Sequence, residues 1–341
     1  MQKIIDFRSD TVTRPTNGMR RAMMQAEVGD DVYGDDASVN HLQARLAEMA
    51  GHEAGLFVAS GTQSNLIALL THCGRGDEYI VGQQYHTYLY ESGGAASLGG
   101  IVPQPIAVEA DGSLALSSIE AVIKPNDIHY AKSTLLSLEN THLGKVLGND
   151  YLASAIARAR HYSLRTHLDG ARVFNASVAQ GVSLDLITSQ FDTVSICCSK
   201  GLGAPVGSVL CGPKEFIEEA KRWRKMVGGG MRQAGILAAG ISYALDHHVV
   251  RLQVDHDNAI LLQEKLSKID DLKVEQAHTN MLYVELSSRE QGVALGEYLK
   301  ARGVLISAGK RIRLVTHLDI DESDIEVFVS LFAQFMRGSV H

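Results

Sequence analysis

Long apolar runs are missing from this 341-residue chain: nowhere do eighteen apolar residues follow one another, which excludes a helical membrane span. Cysteine is scarce. The four residues at 73, 197, 198 and 211 show no Cys-x-x-Cys spacing and no matched histidines, so neither a zinc site nor a disulfide framework is expected. Charge of one sign is not concentrated either. The formal net charge is −7 with dispersed basic residues, which leaves nucleic-acid binding without an electrostatic footprint. The first residues carry Asp6, Arg8 and Asp10 where a leader peptide would carry an apolar stretch. Internal repeats and low-complexity segments are absent, as are the P-loop pattern and the Gly-x-Gly-x-x-Gly fingerprint. These absences count against a nucleotide enzyme, a nicotinamide dehydrogenase included, and lead us to expect a soluble protein in a reducing, cytoplasmic setting.

What is present is a chain that is 45% hydrophobic and long enough to exceed what one core usually organises, so two domains are expected. Helical patterns over 19–25 and 38–48 precede a strand at Leu56. Strands ending near Val81, Val108, Leu138, Leu168 and Ile196 alternate with helices such as 152–161. Repeated strand, crossover helix and strand make a parallel sheet whose ligands collect at the carboxyl ends of the strands. Beyond a Gly-rich loop the pattern predicts one long helix over 234–266, strands at Val274, 282–284, 304–307 and 311–315, and helices over 294–302 and 323–336. We divide the chain into an N-terminal arm (1–14), a large α/β domain (15–247) and a small α+β domain (248–341).

The chemistry is concentrated in Ser195-Ile-Cys-Cys-Ser-Lys-Gly-Leu-Gly-Ala-Pro-Val-Gly-Ser208, where an apolar run delivers Lys200 to a glycine turn. Asp169 and Arg172 end another apolar run in Thr166-His-Leu-Asp-Gly-Ala-Arg172. Taken singly, a loop lysine and an Asp-Gly turn are bland. Together they suggest pyridoxal phosphate: an amine to condense with the cofactor's aldehyde and an acid to keep its ring nitrogen protonated. The remaining requirement is a phosphate cradle, and Ser60-Gly-Thr62 opens a helix after an apolar strand, where free N–H groups face an anion. His86 and His129 lie in loops where a structural histidine is the ordinary reading. The acidic run Asp30-Asp-Val-Tyr-Gly-Asp-Asp36 lacks the EF-hand arrangement, and we expect no metal.

The segments Asp6-Phe-Arg-Ser-Asp-Thr-Val-Thr13, Gly29-Asp-Asp-Val-Tyr-Gly34, Ser60-Gly-Thr62, Leu138-Glu-Asn-Thr-His142 and His167-Leu-Asp-Gly-Ala-Arg172 lie in order along the chain. Ser199-Lys-Gly-Leu-Gly-Ala-Pro-Val-Gly207, Met226-Val-Gly-Gly-Gly-Met-Arg-Gln233 and Arg313-Leu-Val-Thr-His317 complete the set. The set resembles the low-specificity L-threonine aldolase family over nearly the whole length, and within it the bacterial L-allo-threonine aldolases. The resemblance implies the fold type I, aspartate aminotransferase-like architecture, with a mainly parallel seven-stranded sheet and a smaller C-terminal α+β domain. It also implies reversible cleavage of threonine or allo-threonine to glycine and acetaldehyde. In that reading Lys200 carries the cofactor, Asp169 meets its ring nitrogen, His86 stacks on the ring, and Ser60, Gly61, Thr62, Arg172 and Arg232 complete the cofactor site. Ser9, Tyr33, His86, His129, Arg172 and Arg313 would face the substrate, with His129 near its β-hydroxyl. Arg232 would reach the phosphate of a neighbouring subunit in a homotetramer built as a dimer of dimers, with active sites at the dimer interface.

Three positions depart from the family pattern: Leu143 follows His142 where asparagine is usual, Ala37 follows Asp36, and Cys197 and Cys198 stand where one cysteine is more familiar. The residues leave the base open among His86, His129 and a water held by both. They also leave open another pyridoxal phosphate reaction, lyase or aminotransferase, since Lys200 and Asp169 serve all of these, and a non-catalytic sensor built on the same fold.

Overall fold

The computed structural model describes residues 3–338; the two residues before and the three after lie outside the described part of the arm and the small domain. Strand β1 (Ile5–Asp6) belongs to a small two-stranded sheet. The next seven strands build the principal sheet: β2 (Ala54–Val58), β3 (Glu78–Gly82), β4 (Val102–Ile106), β5 (Ser133–Glu139), β6 (Arg165–Gly170), β7 (Thr193–Cys197) and β8 (Ser208–Gly212). Their order is β2-β8-β7-β6-β5-β3-β4. Only β8 is reversed, being antiparallel to both β7 and β2, so the other strands all deliver their carboxyl ends to one edge. Their middles read as continuous apolar runs because helices cover both faces; every residue of β3, β7 and β8 is buried. The strand expected to end near Val108 stops at Ile106. It carries Pro103 and Pro105, which lack the N–H a central strand needs, and it lies at the sheet edge.

The helix expected over 234–266 is two helices, Gly235–His247 and Leu252–Leu266. The His248 ring turns aside to hydrogen-bond the Leu202 carbonyl at 2.7 Å, and the β-branched Val249 and Val250 occupy the break. Strand β8 and the helix Lys214–Met226 were not anticipated at all.

The remaining strands are β9 (Lys273–Val274), β10 (Met281–Glu285), β11 (Val304–Leu305) and β12 (Arg311–Val315). β12, β10 and β9 form an antiparallel sheet, packed with helices Leu252–Leu266, Arg289–Lys300 and Glu322–Gly338 around a core that includes Leu282, Leu295, Leu314 and Phe328. The arm is stitched into this body. β1 runs parallel to β11, Phe7 is fully buried with its ring 4.7 Å from that of Phe328, and Val315 donates its N–H to the Phe7 carbonyl. The arm then continues to the large sheet, where the Thr13 hydroxyl donates to the Lys200 carbonyl at 2.9 Å.

Candidate active site

The parallel strands place Ser60 beyond β2, His86 beyond β3, Glu139 at the end of β5, Asp169 near the end of β6 and Lys200 beyond β7. Asp169 is buried, and both its oxygens accept hydrogen bonds: Oδ1 from the Ala171 N–H at 3.0 Å and Oδ2 from the Asn65 amide at 2.8 Å. The same amide also donates to Glu91 Oε1 at 2.9 Å.

His86 is held from two sides. Its backbone N–H donates to Glu139 Oε2 at 2.6 Å, while its ring Nδ1 lies 2.8 Å from Glu91 Oε1. A carboxylate only accepts, so Nδ1 carries the proton and Nε2 of the neutral ring is left as a base. The bond to Glu91, with the charges of Asp169 and Glu91 behind it, raises the His86 pKa against burial and the charge of Lys200. One ligand atom from each of His86, Glu91 and Asp169 falls within 4.8 Å of the others. Glu139 is itself fixed by the buried His142 ring, whose Nδ1 donates to Oε1 at 2.8 Å.

On the other side of Lys200 lies a buried ion pair. Arg172 grips Asp10 with two prongs, Nε to Oδ2 at 2.8 Å and Nη2 to Oδ1 at 2.6 Å. Burial opposes ionisation of Asp10, yet Arg172 outweighs it, with help from Lys200 and the Asn280 amide, and the Asp10 pKa is lowered to about 2. Ser9, next to it, caps the short helix Asp10–Val12 by accepting from the Thr11 N–H. Arg313 stands opposite Tyr283 across β12 and β10 and donates to the Arg8 carbonyl. The Tyr283 hydroxyl is buried and has no hydrogen-bond partner; burial raises its pKa while the charges of Arg313, Arg311 and Arg172 pull the other way.

Ser60 accepts from the Gln63 N–H and starts the helix Gly61–His72, whose first amides point out of the helix. The Ser208 hydroxyl, buried without a partner, lies beside Gly61. Gly229 comes so close to the Gln63 side chain that a Cβ would meet it at 2.5 Å, which seats the loop before Arg232 against this turn.

Three expected site residues are not brought to this centre within the chain. His129 is exposed on a loop and pairs with Asp127; Tyr33 is exposed in a turn; Arg232 pairs with Asp30 at 3.1 Å with its side chain half exposed. Conversely, Asn65, Glu91, Glu139 and Asp10 hold the centre together and were not singled out from the sequence. Glu139 and Asp10 stood inside quoted motifs, Asn65 follows Thr62 by three positions, and Glu91 follows His86 by five.

A model of the family described as beta-eliminating lyases matches residues 6–289. The chain belongs to the beta-eliminating lyase family. Within it, the sequence is 55% identical to a low specificity L-threonine aldolase of Escherichia coli K12, over 98% of this chain and 99% of that one. It is 43% identical to low-specificity L-threonine aldolase 1 of Arabidopsis thaliana, over 98% and 97% of the two chains. Among solved structures, a Leishmania major threonine aldolase superposes with a TM-score of 0.81 over 97% of this chain and 99% of that chain at 21% identity, a likeness of fold. That fold is the fold type I architecture of pyridoxal phosphate enzymes, and this lyase is a member of them.

The residues of the lyase fit that cofactor. The buried Asp169 carboxylate, with hydrogen bonds donated to both its oxygens, would hold the proton on a pyridine nitrogen. The free amides of Gly61 and Thr62 with the unpartnered Ser208 hydroxyl would hold a phosphate at the helix end. Lys200 lies within electrostatic reach of both His86 and Asp10, between these two groups of residues.

Proposed function

We propose that this chain cleaves L-threonine and L-allo-threonine to glycine and acetaldehyde in a reversible retro-aldol reaction, and acts on other β-hydroxy-α-amino acids. The observation that carries the reading is His86 with its Nε2 free, its Nδ1 proton committed to Glu91 and its ring in the same centre as Asp169 and Lys200. A base that takes a β-hydroxyl proton must present a lone pair, and the neutral ring in this tautomer does so at Nε2, its raised pKa making it the stronger base.

Bound pyridoxal phosphate supplies the electron sink for the pair released when Cα–Cβ breaks. The lyase's residues do the rest. Lys200 would anchor the cofactor through its Nζ and would accept and return a proton at that atom. Arg313, Ser9 and Arg172 bind the substrate carboxylate; the Nε and Nη2 of Arg172 are held by Asp10, which fixes the guanidinium and leaves Nη1 to meet the substrate. Asp169 keeps the ring nitrogen protonated. His86 Nε2 takes the β-hydroxyl proton directly, or through a water shared with His129.

We also propose a homo-oligomer, a tetramer assembled as a dimer of dimers with sites at the dimer interface. His129, Tyr33 and Arg232 stand exposed on this chain, with Ile128 and Tyr130 exposed beside His129, so a second copy is the place where they would meet the centre. We place the protein in the cytoplasm, consistent with four free cysteines.

Acetaldehyde release is to be measured side by side from L-threonine, L-allo-threonine and their D enantiomers. Release of glycine and acetaldehyde from the L forms, abolished in Lys200→Ala, supports the reading. Keto-acid production in its place, or a Lys200→Ala protein as active as the parent, overturns it. Borohydride reduction followed by peptide mapping is expected to leave the cofactor on Lys200, and sedimentation in solution tests the tetramer.

A further inference from the structure

Behind Asp169 runs a buried chain of hydrogen bonds that the reaction does not touch. The Asn65 Oδ1 lies 3.2 Å from His167 Nε2; His167 Nδ1 lies 2.8 Å from the Thr193 hydroxyl; and that hydroxyl lies 2.7 Å from His72 Nε2. All four residues are buried. Asn65 and His72 sit two turns apart on one face of the helix Gly61–His72, and His167 and Thr193 are paired residues of β6 and β7.

The direction of every bond follows from its end. Asp169 and Glu91 are acceptors, so the Asn65 NH2 group faces them and its carbonyl faces His167. His167 Nε2 is therefore protonated. Burial keeps His167 neutral, its pKa lowered to about 4, so Nδ1 is bare and the Thr193 hydroxyl donates to it. The Thr193 oxygen then accepts from His72 Nε2–H. His72, also kept neutral by burial, has a bare Nδ1, and that atom has no hydrogen-bond partner, which a lone pair tolerates better than a buried N–H would.

The geometry points to His72, Thr193 and His167 as positioning residues that fix the Asn65 amide between two carboxylates. Ligand oxygens of Asp169 and Glu91 lie within 4.8 Å of one another, so the two carboxylates repel unless a donor bridges them. One amide donating to both is that bridge. If the Thr193 hydroxyl is removed, His167 is free to change tautomer and the Asn65 amide to turn over, which would set its carbonyl against Asp169 and Glu91. An Asp169 that has lost that donor is no longer held in place to pair with a cationic ring. This inference rests on the reading that Asp169 meets the cofactor ring.

Two measurements on the cofactor-loaded protein test it. Long-range ¹H–¹⁵N spectra of histidine-labelled protein near neutral pH are expected to show His72 and His167 both neutral and protonated on Nε2. Cofactor retention, followed by loss of its visible absorbance on dialysis, is expected to fall about tenfold in Thr193→Val, the worth of one buried hydrogen bond. Thr193→Ser, which restores the hydroxyl, is expected to retain cofactor like the parent. His167 protonated on Nδ1, or equal retention in Thr193→Val and Thr193→Ser, overturns the inference. Should Thr193→Val fail to fold, the histidine tautomers of the parent protein decide alone. No substrate enters either measurement, so a failure of aldol cleavage and a failure of this relay are told apart.

Discussion

Leu143 shows how one residue departs from its surroundings. His142 and Lys145 exchange both backbone hydrogen bonds, so Leu143 and Gly144 form a two-residue turn with φ of 50° and 84°. Such a turn favours Asn-Gly, because asparagine tolerates the left-handed region and leucine does not. The asparagine that family sequences carry here therefore answers a demand of the backbone, whatever polar contact it adds. Gly144 cannot change: a Cβ there would meet Met281 and the His278 carbonyl at about 2.5 Å. Leu143→Asn is expected to stabilise the fold by about 1 kcal/mol, read as a higher calorimetric Tm. An unchanged or lower Tm would refute the strain. At this scale the sequence displayed Lys200 and Asp169 clearly, since each ends or follows an apolar run, whereas His86 took its role only from the family resemblance. Asn65 and Asp10 were harder to see because their partners lie 26 to 162 positions away in the chain, and Glu91, five positions from His86, because one acidic residue in a loop carries no signal of its own.

Among elements, the strand β2 and the turn after it depend on a helix that the sequence reading passed over. From Lys214–Met226, Arg224 reaches across to donate to the Phe57 carbonyl at 2.8 Å and to pair with Asp31 at 2.8 Å, all of them buried. Burial raises the Asp31 pKa, and Arg224, with Lys221 adding to it, lowers it only in part, so Asp31 is charged at a cost that Arg224 reduces. Arg224→Met keeps the bulk but strands that carboxylate. It is expected to cost about 3 kcal/mol, measured by denaturant unfolding, and to weaken cofactor retention because β2 feeds the Ser60 turn. A loss below about 0.5 kcal/mol would show the pair to be no more than a surface contact. The helix was missed because its charges, Lys214, Glu215, Glu218, Glu219, Lys221, Arg222 and Arg224, hide a narrow apolar stripe around Ile217 and Ala220. The break at His248 was missed for the opposite reason, since helical periodicity continues through it.

For the whole molecule, buried histidines set the response to acid. Burial lowers the His167 and His256 pKa values to about 4 and pushes His72 down as well, so the unfolded chain binds those protons first. Stability from these groups is present above their ordinary value and is lost as pH falls toward 4; His167 alone accounts for about 3 kcal/mol. Asp255, raised by burial to about 6, opposes the trend, because its folded form takes a proton first as pH falls. Six depressed histidines, His52, His248 and His278 with the three above, outweigh the raised carboxyls Asp31, Glu91 and Asp255, so the Tm is expected to fall between pH 7 and pH 5. A Tm that rises over that interval in calorimetry would show the sign to be wrong.

The sequence by itself displayed Lys200, Asp169 and the Ser60 turn and most of the order of elements around them, since apolar runs, glycine turns and helix caps are local signals written in neighbouring letters. It also determined the cofactor, through a lysine, an acid and a helix start that make sense only together. The tertiary structure decided how those groups are charged and aimed. The Nδ1 proton of His86, the hydrogen bond of Asn65 to Asp169 and the grip of Arg172 on Asp10 depend on partners that the fold brings within hydrogen-bond reach. Burial then gives those short distances their force, because water no longer screens a misplaced charge or satisfies an unpaired donor.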